Sequence, residues 1–183
     1  RGTADGLAVS GRYAYLAAPE FRIVDLSDPT APEVIGACGT PGQPWDVVVR
    51  DGYAFLADGP AGLTVVDVRD PTAPAVVGNC PTPKEAISLT VVGDHVYLGT
   101  RNAGLRVIDA GDLTSPVEVG AYDHLRIRDV AVVGGVAYVA SGGLYVLDVS
   151  DPASPREIGF HRVPGTAVAV AVFGEYLYLA CRE

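Results

Sequence analysis

The chain has 183 residues, carries a formal net charge of −9 and is 49% hydrophobic. That length can bury a sizeable core, and the negative charge argues against sequence-independent binding to nucleic acid, which needs a positive surface. No apolar run approaches the ~18 residues of a membrane span, so neither a nucleic-acid partner nor membrane insertion is expected.

The first segment with a clear pattern is "YAYLA", where Tyr13, Tyr15 and Ala17 alternate as a strand does. It returns along the chain. The aromatic residues Tyr15, Phe55, Tyr97, Tyr138 and Tyr178 stand 40, 42, 41 and 40 residues apart. Six residues before each comes a valine: Val9, Val49, Val91, Val132 and Val172. A period of about 41 residues suits propeller blades and some helical arrays. Alternation and the excess of Val, Ile, Leu and Tyr decide for strands. In the second unit four are predicted: A, "DVVVR" (Asp46–Arg50); B, "YAFLA" (Tyr53–Ala57); C, "LTVVDV" (Leu63–Val68); and D, "AVVGNC" (Ala75–Cys80).

The A–B connections carry Gly11-Arg12, Asp51-Gly52, Gly93-Asp94, Gly134-Gly135 and Gly174-Glu175. Such pairs supply the positive φ that two-residue hairpins require. The C–D connection is a repeated sentence: "VDLSDPTAPEVIG" from Val24, "VDVRDPTAPAVVG" from Val66, "IDAGDLTSPVEVG" from Ile108 and "LDVSDPASPREIG" from Leu147. Its aspartates are read as turn builders that accept their own backbone N–H groups, and its prolines as presetting φ. The third copy departs from the others with Asp112-Leu113 but keeps Pro116.

A four-stranded antiparallel unit at this period is a β-propeller blade. The fold class is therefore all-β: four complete repeats, at about 5–40, 45–82, 86–123 and 127–162, and a half repeat at 167–181, in one domain spanning 1–183. The segments "FRIVDLSDP", "LTVVDVRDP", "LRVIDAGDL" and "LYVLDVSDP", preceded by "YAYLA", "YAFLADG" and "VAYVASGG", resemble the LVIVD-repeat family across essentially the whole chain. The resemblance implies a propeller fold and an extracellular or cell-surface setting in a bacterial or archaeal protein. It carries over no catalytic residue.

The half repeat lacks strands C and D, and the chain contains no methionine, position 1 included. Both features are read as marks of a fragment of a larger ring, with missing blades expected from the same polypeptide. A five-bladed ring with one thin blade is the other reading.

Function is sought on the face that carries the B–C and D–A loops. The Val-to-aromatic step is 6 residues and the Asp-to-Gly step across C–D is 11 in every complete copy, whereas the aromatic-to-Asp step across B–C is 10, 12, 12 and 10. Variable loops on a rigid scaffold are where binding concentrates. Three residues before each strand-A valine stand Gly6, Asp46, Ser88, Asp129 and Ala169. With strand A innermost these lie at the mouth of the central channel. Trp45, Asp46, Ser88, Arg128 and Asp129 are the predicted ligand contacts; the competing reading has Asp46 and Asp129 hydrogen-bonding backbone and tying blades together.

Two functions stand: a non-catalytic scaffold for a protein or glycan ligand, or an enzyme acting at the channel mouth. There is no G-x-S-x-G, H-E-x-x-H, phosphate-binding loop or EF-hand loop. The cysteines Cys38, Cys80 and Cys181 show no zinc or redox spacing, and His95, His124 and His161 fall at inequivalent repeat positions. No cofactor or metal site is predicted.

Overall fold

The computed structural model describes residues 4–183. Among them are eighteen strands, and no helix. Repeat 1 holds β1 (Gly6–Ser10), β2 (Tyr13–Ala17), β3 (Phe21–Asp25) and β4 (Glu33–Cys38). Repeat 2 holds β5 (Asp46–Arg50), β6 (Tyr53–Ala57), β7 (Leu63–Asp67) and β8 (Ala75–Cys80). Repeat 3 holds β9 (Ala86–Val92), β10 (His95–Thr100), β11 (Gly104–Asp109) and β12 (Val117–Tyr122). Repeat 4 holds β13 (Asp129–Val133), β14 (Val136–Ser141), β15 (Gly143–Asp148) and β16 (Arg156–His161); a half repeat holds β17 (Thr166–Phe173) and β18 (Tyr176–Arg182). Each complete repeat is one antiparallel sheet with its strands in chain order, and β17–β18 form a two-stranded sheet. This is the blade architecture expected from the sequence.

The four strands predicted for repeat 2 fall where the alternation placed them, except that β7 ends at Asp67 rather than Val68. The Asp67 side chain there accepts the Arg69 backbone N–H at 3.0 Å, which turns the chain out of the ladder. The A–B hairpins split by chemistry. Asp51-Gly52 and Gly134-Gly135 have positive φ at both positions, as a type I′ turn needs, whereas Gly11, Gly93 and Gly174 are positive at the first position, as in type II′.

The C–D turns form as read. Asp25, Asp67, Asp109 and Asp148 each accept the backbone N–H two residues on, at 2.8–3.0 Å. Asp28, Asp70 and Asp151 do the same for Thr30, Thr72 and Ala153. Every C–D pair also carries a β-bulge at one place, between Ile23/Val24, Val65/Val66, Val107/Ile108 and Val146/Leu147. The bulge bends the outer strand beside the closing glycine of the repeated sentence.

The chain divides into two compact units, one of residues 1–86 with Leu113–Pro116, the other of Ile87–Asp112 with Val117–Glu183. In the first, the core joins two sheets: Tyr15, Ala17, Phe21 and Ile23 from repeat 1 meet Val47, Ala54, Leu56, Val66 and Val68 from repeat 2. In the second, Tyr97, Leu105 and Val107 meet Ile127, Val130, Val139 and Leu147, and Ala140 meets Ala167 and Val170 of the half repeat. Within each unit, neighbouring sheets thus bury apolar surface by stacking on one another.

The closing glycines serve that stacking. A Cβ on Gly36 would lie 2.1 Å from the Pro71 carbonyl oxygen; on Gly78, 2.0 Å from that of Leu113; on Gly120, 2.0 Å from that of Pro152. The turn of each later repeat therefore seats against the outer strand of the one before it. Leu113–Pro116 belongs to the first unit through its seat on Gly78.

Candidate functional site

The predicted contact residues divide between the units: Trp45 and Asp46 in the first, Ser88, Arg128 and Asp129 in the second. Trp45 and Arg128 each extend the A–B ladder by one rung, their backbone N–H groups donating to Ala57 and Ala140. Trp45 is half-buried, with its indole nitrogen 3.3 Å from where a Cβ on Gly59 would sit, so the ring lies over the B–C loop of its own repeat. Asp46 accepts the Val47 N–H at 2.8 Å. The backbone at Trp45-Asp46 comes so close to repeat 1 that a Cβ on Gly6 would lie 2.7 Å from the Asp46 Cα.

Asp129 spends both carboxylate oxygens on backbone. Its Oδ1 accepts from Val130 at 2.9 Å, and its Oδ2 from Val170, one period further on, at 2.8 Å. Burial raises its pKa above the ordinary value, and the two N–H bonds oppose that rise. Asp129 thus ties repeat 4 to the half repeat. It also edges a groove of 640 Å³ shared with Ala169, Ala171, Leu177, Tyr178 and Leu179. Arg128 is half-buried. Ser88 is only 3% exposed, and its hydroxyl finds no hydrogen-bond partner among the described residues.

Three groups that the sequence reading passed over organise this loop face. Asp58, fully buried, accepts Thr40 Oγ1 at 2.8 Å on one oxygen, and Gly42 N at 3.0 Å and Thr64 Oγ1 at 2.8 Å on the other. Burial raises its pKa, and the bonds from Thr64, Thr40 and Gly42 oppose it. The D–A loop that enters repeat 2 is thereby fastened to the B–C loop of that repeat. In repeat 3 the buried Arg106 instead ties the B–C loop to the D–A loop that leaves the repeat, donating to the Ala103 carbonyl and the Asp123 carboxylate, and to Glu118 at 3.3 Å. In repeat 4 the Ser141 hydroxyl donates to the Arg126 carbonyl at 3.0 Å. A signal for these existed: three residues after the strand-B aromatic stand Ala18, Asp58, Thr100 and Ser141, and three residues before the aspartate that ends strand C stand Arg22, Thr64, Arg106 and Tyr145. Recurring polar residues at these two repeat positions marked the fasteners.

Among the described residues, no group of three or more His, Cys, Asp or Glu side chains is arranged to hold a metal ion. Cys38, Cys80 and Cys181 are free thiols. The arrangement offers loops fastened by side-chain hydrogen bonds in repeats 2, 3 and 4.

No curated protein matches the chain. The LVIVD repeat profile matches residues 1–40, 41–82, 83–124, 126–161 and 164–183. Those five matches follow the sheet boundaries described above, and the chain belongs to the LVIVD-repeat family.

Proposed function

We propose that this chain is a non-catalytic repeat scaffold that presents its B–C and D–A loops to a protein or glycan ligand, on the surface of a bacterial or archaeal cell or in a secreted protein. The observation that carries the reading is the fastening of these loops. Loops of different content are each held by a different polar group: the buried Asp58 in repeat 2, the buried Arg106 in repeat 3 and the half-buried Ser141 in repeat 4. Rigid loops lose little entropy on binding, which favours recognition. The extracytoplasmic setting follows from the family resemblance.

The test is binding of the immobilised chain to a glycan array and to a panel of soluble ectodomains, with Trp45→Ala and Arg128→Ala alongside. The expected result is a ligand whose affinity falls about tenfold or more in either variant, the loss of one contact residue of ordinary worth. A ligand bound equally by both variants removes these residues from the site. Turnover of a bound substrate would favour the enzyme reading instead.

A further inference from the structure

We infer that Arg126 and Arg128 form a binding site for an acidic carbohydrate, one that carries carboxylate or sulfate groups on neighbouring sugar units. This gives the loop face proposed above a ligand class, and it rests on that reading.

The first observation is where the arginines of this acidic chain find their counter-charges. The chain has 22 Asp and Glu against 13 Lys and Arg. At the end of the strands that carries the A–B and C–D turns, Arg12, Arg50, Arg69 and Arg156 pair with Asp25, Asp51, Asp67 and Asp148 in that order. On the loop face the buried Arg106 pairs with Glu118 and Asp123. The side chains of Arg126 and Arg128 make no ion pair or hydrogen bond among the described residues. The carboxylates nearest them along the chain are engaged elsewhere: Asp123 by Arg106, and Asp129 by the backbone N–H groups of Val130 and Val170. Both arginines lie between repeats 3 and 4, with described strands on either side. Arg128 is half-buried. A charge drawn partly out of water without a partner is unfavourable, and an anion supplied from outside would offset that.

The second observation is that the backbone beneath the pair is fixed at three consecutive residues. The Arg126 carbonyl accepts the Ser141 hydroxyl at 3.0 Å, the Ile127 N–H donates to the Thr100 carbonyl at 3.3 Å, and the Arg128 N–H donates to the Ala140 carbonyl at 2.9 Å. Leu125 and Ile127 are buried, whereas Arg126 between them is exposed. This alternation leaves the two guanidinium groups on one side of the chain, with their Cα atoms about 6–7 Å apart. A guanidinium grips a carboxylate or a sulfate through two parallel N–H bonds. Two such forks on one fixed frame suit two anionic groups on neighbouring sugars.

The surroundings favour a carbohydrate over a peptide. The B–C loop of repeat 3 is bonded to the same D–A loop, with the Gly104 N–H donating to the Leu125 carbonyl at 3.0 Å. Asn102 and His124, both exposed, stand in these two loops and add an amide and an imidazole that can meet sugar hydroxyls. Both have positive φ, 73° and 72°, whereas the other such positions described on this face, Gly59, Gly62, Gly104, Gly142 and Gly165, are glycines. Side chains are thus kept there against backbone strain. No large hydrophobic side chain described in either loop is exposed. Most peptide recognition uses an apolar pocket or a free strand edge, and these loops offer guanidinium, amide and imidazole groups instead.

The probes are a tetrasaccharide of galacturonic acid and a sulfated tetrasaccharide of heparin, titrated calorimetrically into the whole chain at pH 7 and low ionic strength. Neutral maltotetraose and a tetrapeptide of glutamate serve as comparisons. At least one acidic sugar is expected to bind saturably, with a dissociation constant of about 100 μM or tighter, and to weaken as salt is added. Maltotetraose and the peptide should bind at least about tenfold more weakly. Arg126→Ala and Arg128→Ala should each weaken binding of the acidic sugar about tenfold or more. Arg126→Ala should keep the wild-type melting temperature, since its side chain bonds to nothing in the described chain. Arg156→Ala, which removes a paired arginine at the opposite end of the strands, should leave binding unchanged. The proposal is overturned if neither acidic sugar binds at millimolar concentration, if maltotetraose or the peptide binds as tightly, or if Arg126→Ala and Arg128→Ala bind like wild type. A neutral glycan that binds and is lost in Arg128→Ala would overturn it while leaving the scaffold reading standing. Cleavage of a bound acidic sugar would instead overturn the non-catalytic reading and leave the arginine site in place.

Discussion

Asp58 and Asp129 are both carboxylates held above their ordinary pKa by burial, yet they should tolerate the same substitution to different degrees. Two of the three donors to Asp58 are threonine hydroxyls, which can also accept. An asparagine can place its carbonyl on Gly42 N and Thr64 and donate its amide to Thr40. Asp58→Asn should therefore stay within about 1 kcal/mol of wild type in urea unfolding at pH 7, whereas Asp58→Ala, which strands those donors, should lose about 3 kcal/mol. Both partners of Asp129 are backbone N–H groups, which cannot accept. Asp129→Asn must turn an amide donor against one of them and should lose about 1–3 kcal/mol by the same measurement.

The sign of the pH dependence follows from the same groups. A carboxyl whose folded pKa is raised contributes fully below its unfolded value and loses that contribution as pH rises through the folded one. The stability of Asp58→Asn relative to wild type should therefore improve between pH 4 and pH 7. The turn aspartates run the other way. Asp25, Asp28, Asp67, Asp70 and Asp148 are held below the ordinary carboxylate value of 3.8, chiefly by bonds from the side chains two residues on. Their contribution is present above that value and disappears as pH falls, so acid should loosen the C–D turns first. Only part of this could be read from the sequence. That the turn aspartates bond locally was legible, because donor and acceptor lie two positions apart. That Asp129 reaches Val170 was not, because its partner lies a whole period away.

At the scale of strands and turns, the repeat interfaces are held by close approach as much as by apolar burial. Gly120→Ala drives a Cβ into the Pro152 carbonyl and should cost about 2–3 kcal/mol of unfolding free energy. Repeats 3 and 4 are also joined at their outer strands, where the Tyr122 hydroxyl donates to Glu157 at 2.7 Å. That bond, with some desolvation, pushes the phenol up to about 12 from its ordinary 10.0. The proton is held more tightly in the folded chain, so this contribution is intact below pH 10 and lost as pH climbs through about 12. Tyr122→Phe should remove that alkaline component from a pH series of melting temperatures while leaving the profile between pH 6 and 8 parallel to wild type. The strands, their order and the hairpin pairs were legible because alternation and turn chemistry are local. The seat of each turn on the previous glycine was visible only as a recurring letter; its partner comes from 32 to 35 residues further on.

For the molecule as a whole, stability should fall off toward the half repeat. The aromatic ruler residue is buried at Tyr15, Phe55 and Tyr97, each 5% exposed, but Tyr178 is 55% exposed, with Phe173 at 79% and Tyr176 at 70%. Amides of β17 and β18 should exchange at least about tenfold faster than those of β6, read by mass spectrometry of peptic fragments. Equal protection would mean that the two-stranded sheet draws support from contacts beyond its own repeat and repeat 4. The sequence by itself determined the repeat, its period, the four strands of each sheet and the turns between them. Each of those is written in residues close together along the chain, where side-chain alternation and φ preferences act directly. Only the tertiary structure decided which polar groups fasten the loops, where Asp129 spends its carboxylate, and which turn seats on which closing glycine. Those are decided by atoms that folding brings together from different repeats, and nearly identical copies of one sentence cannot say in advance which copy meets which neighbour.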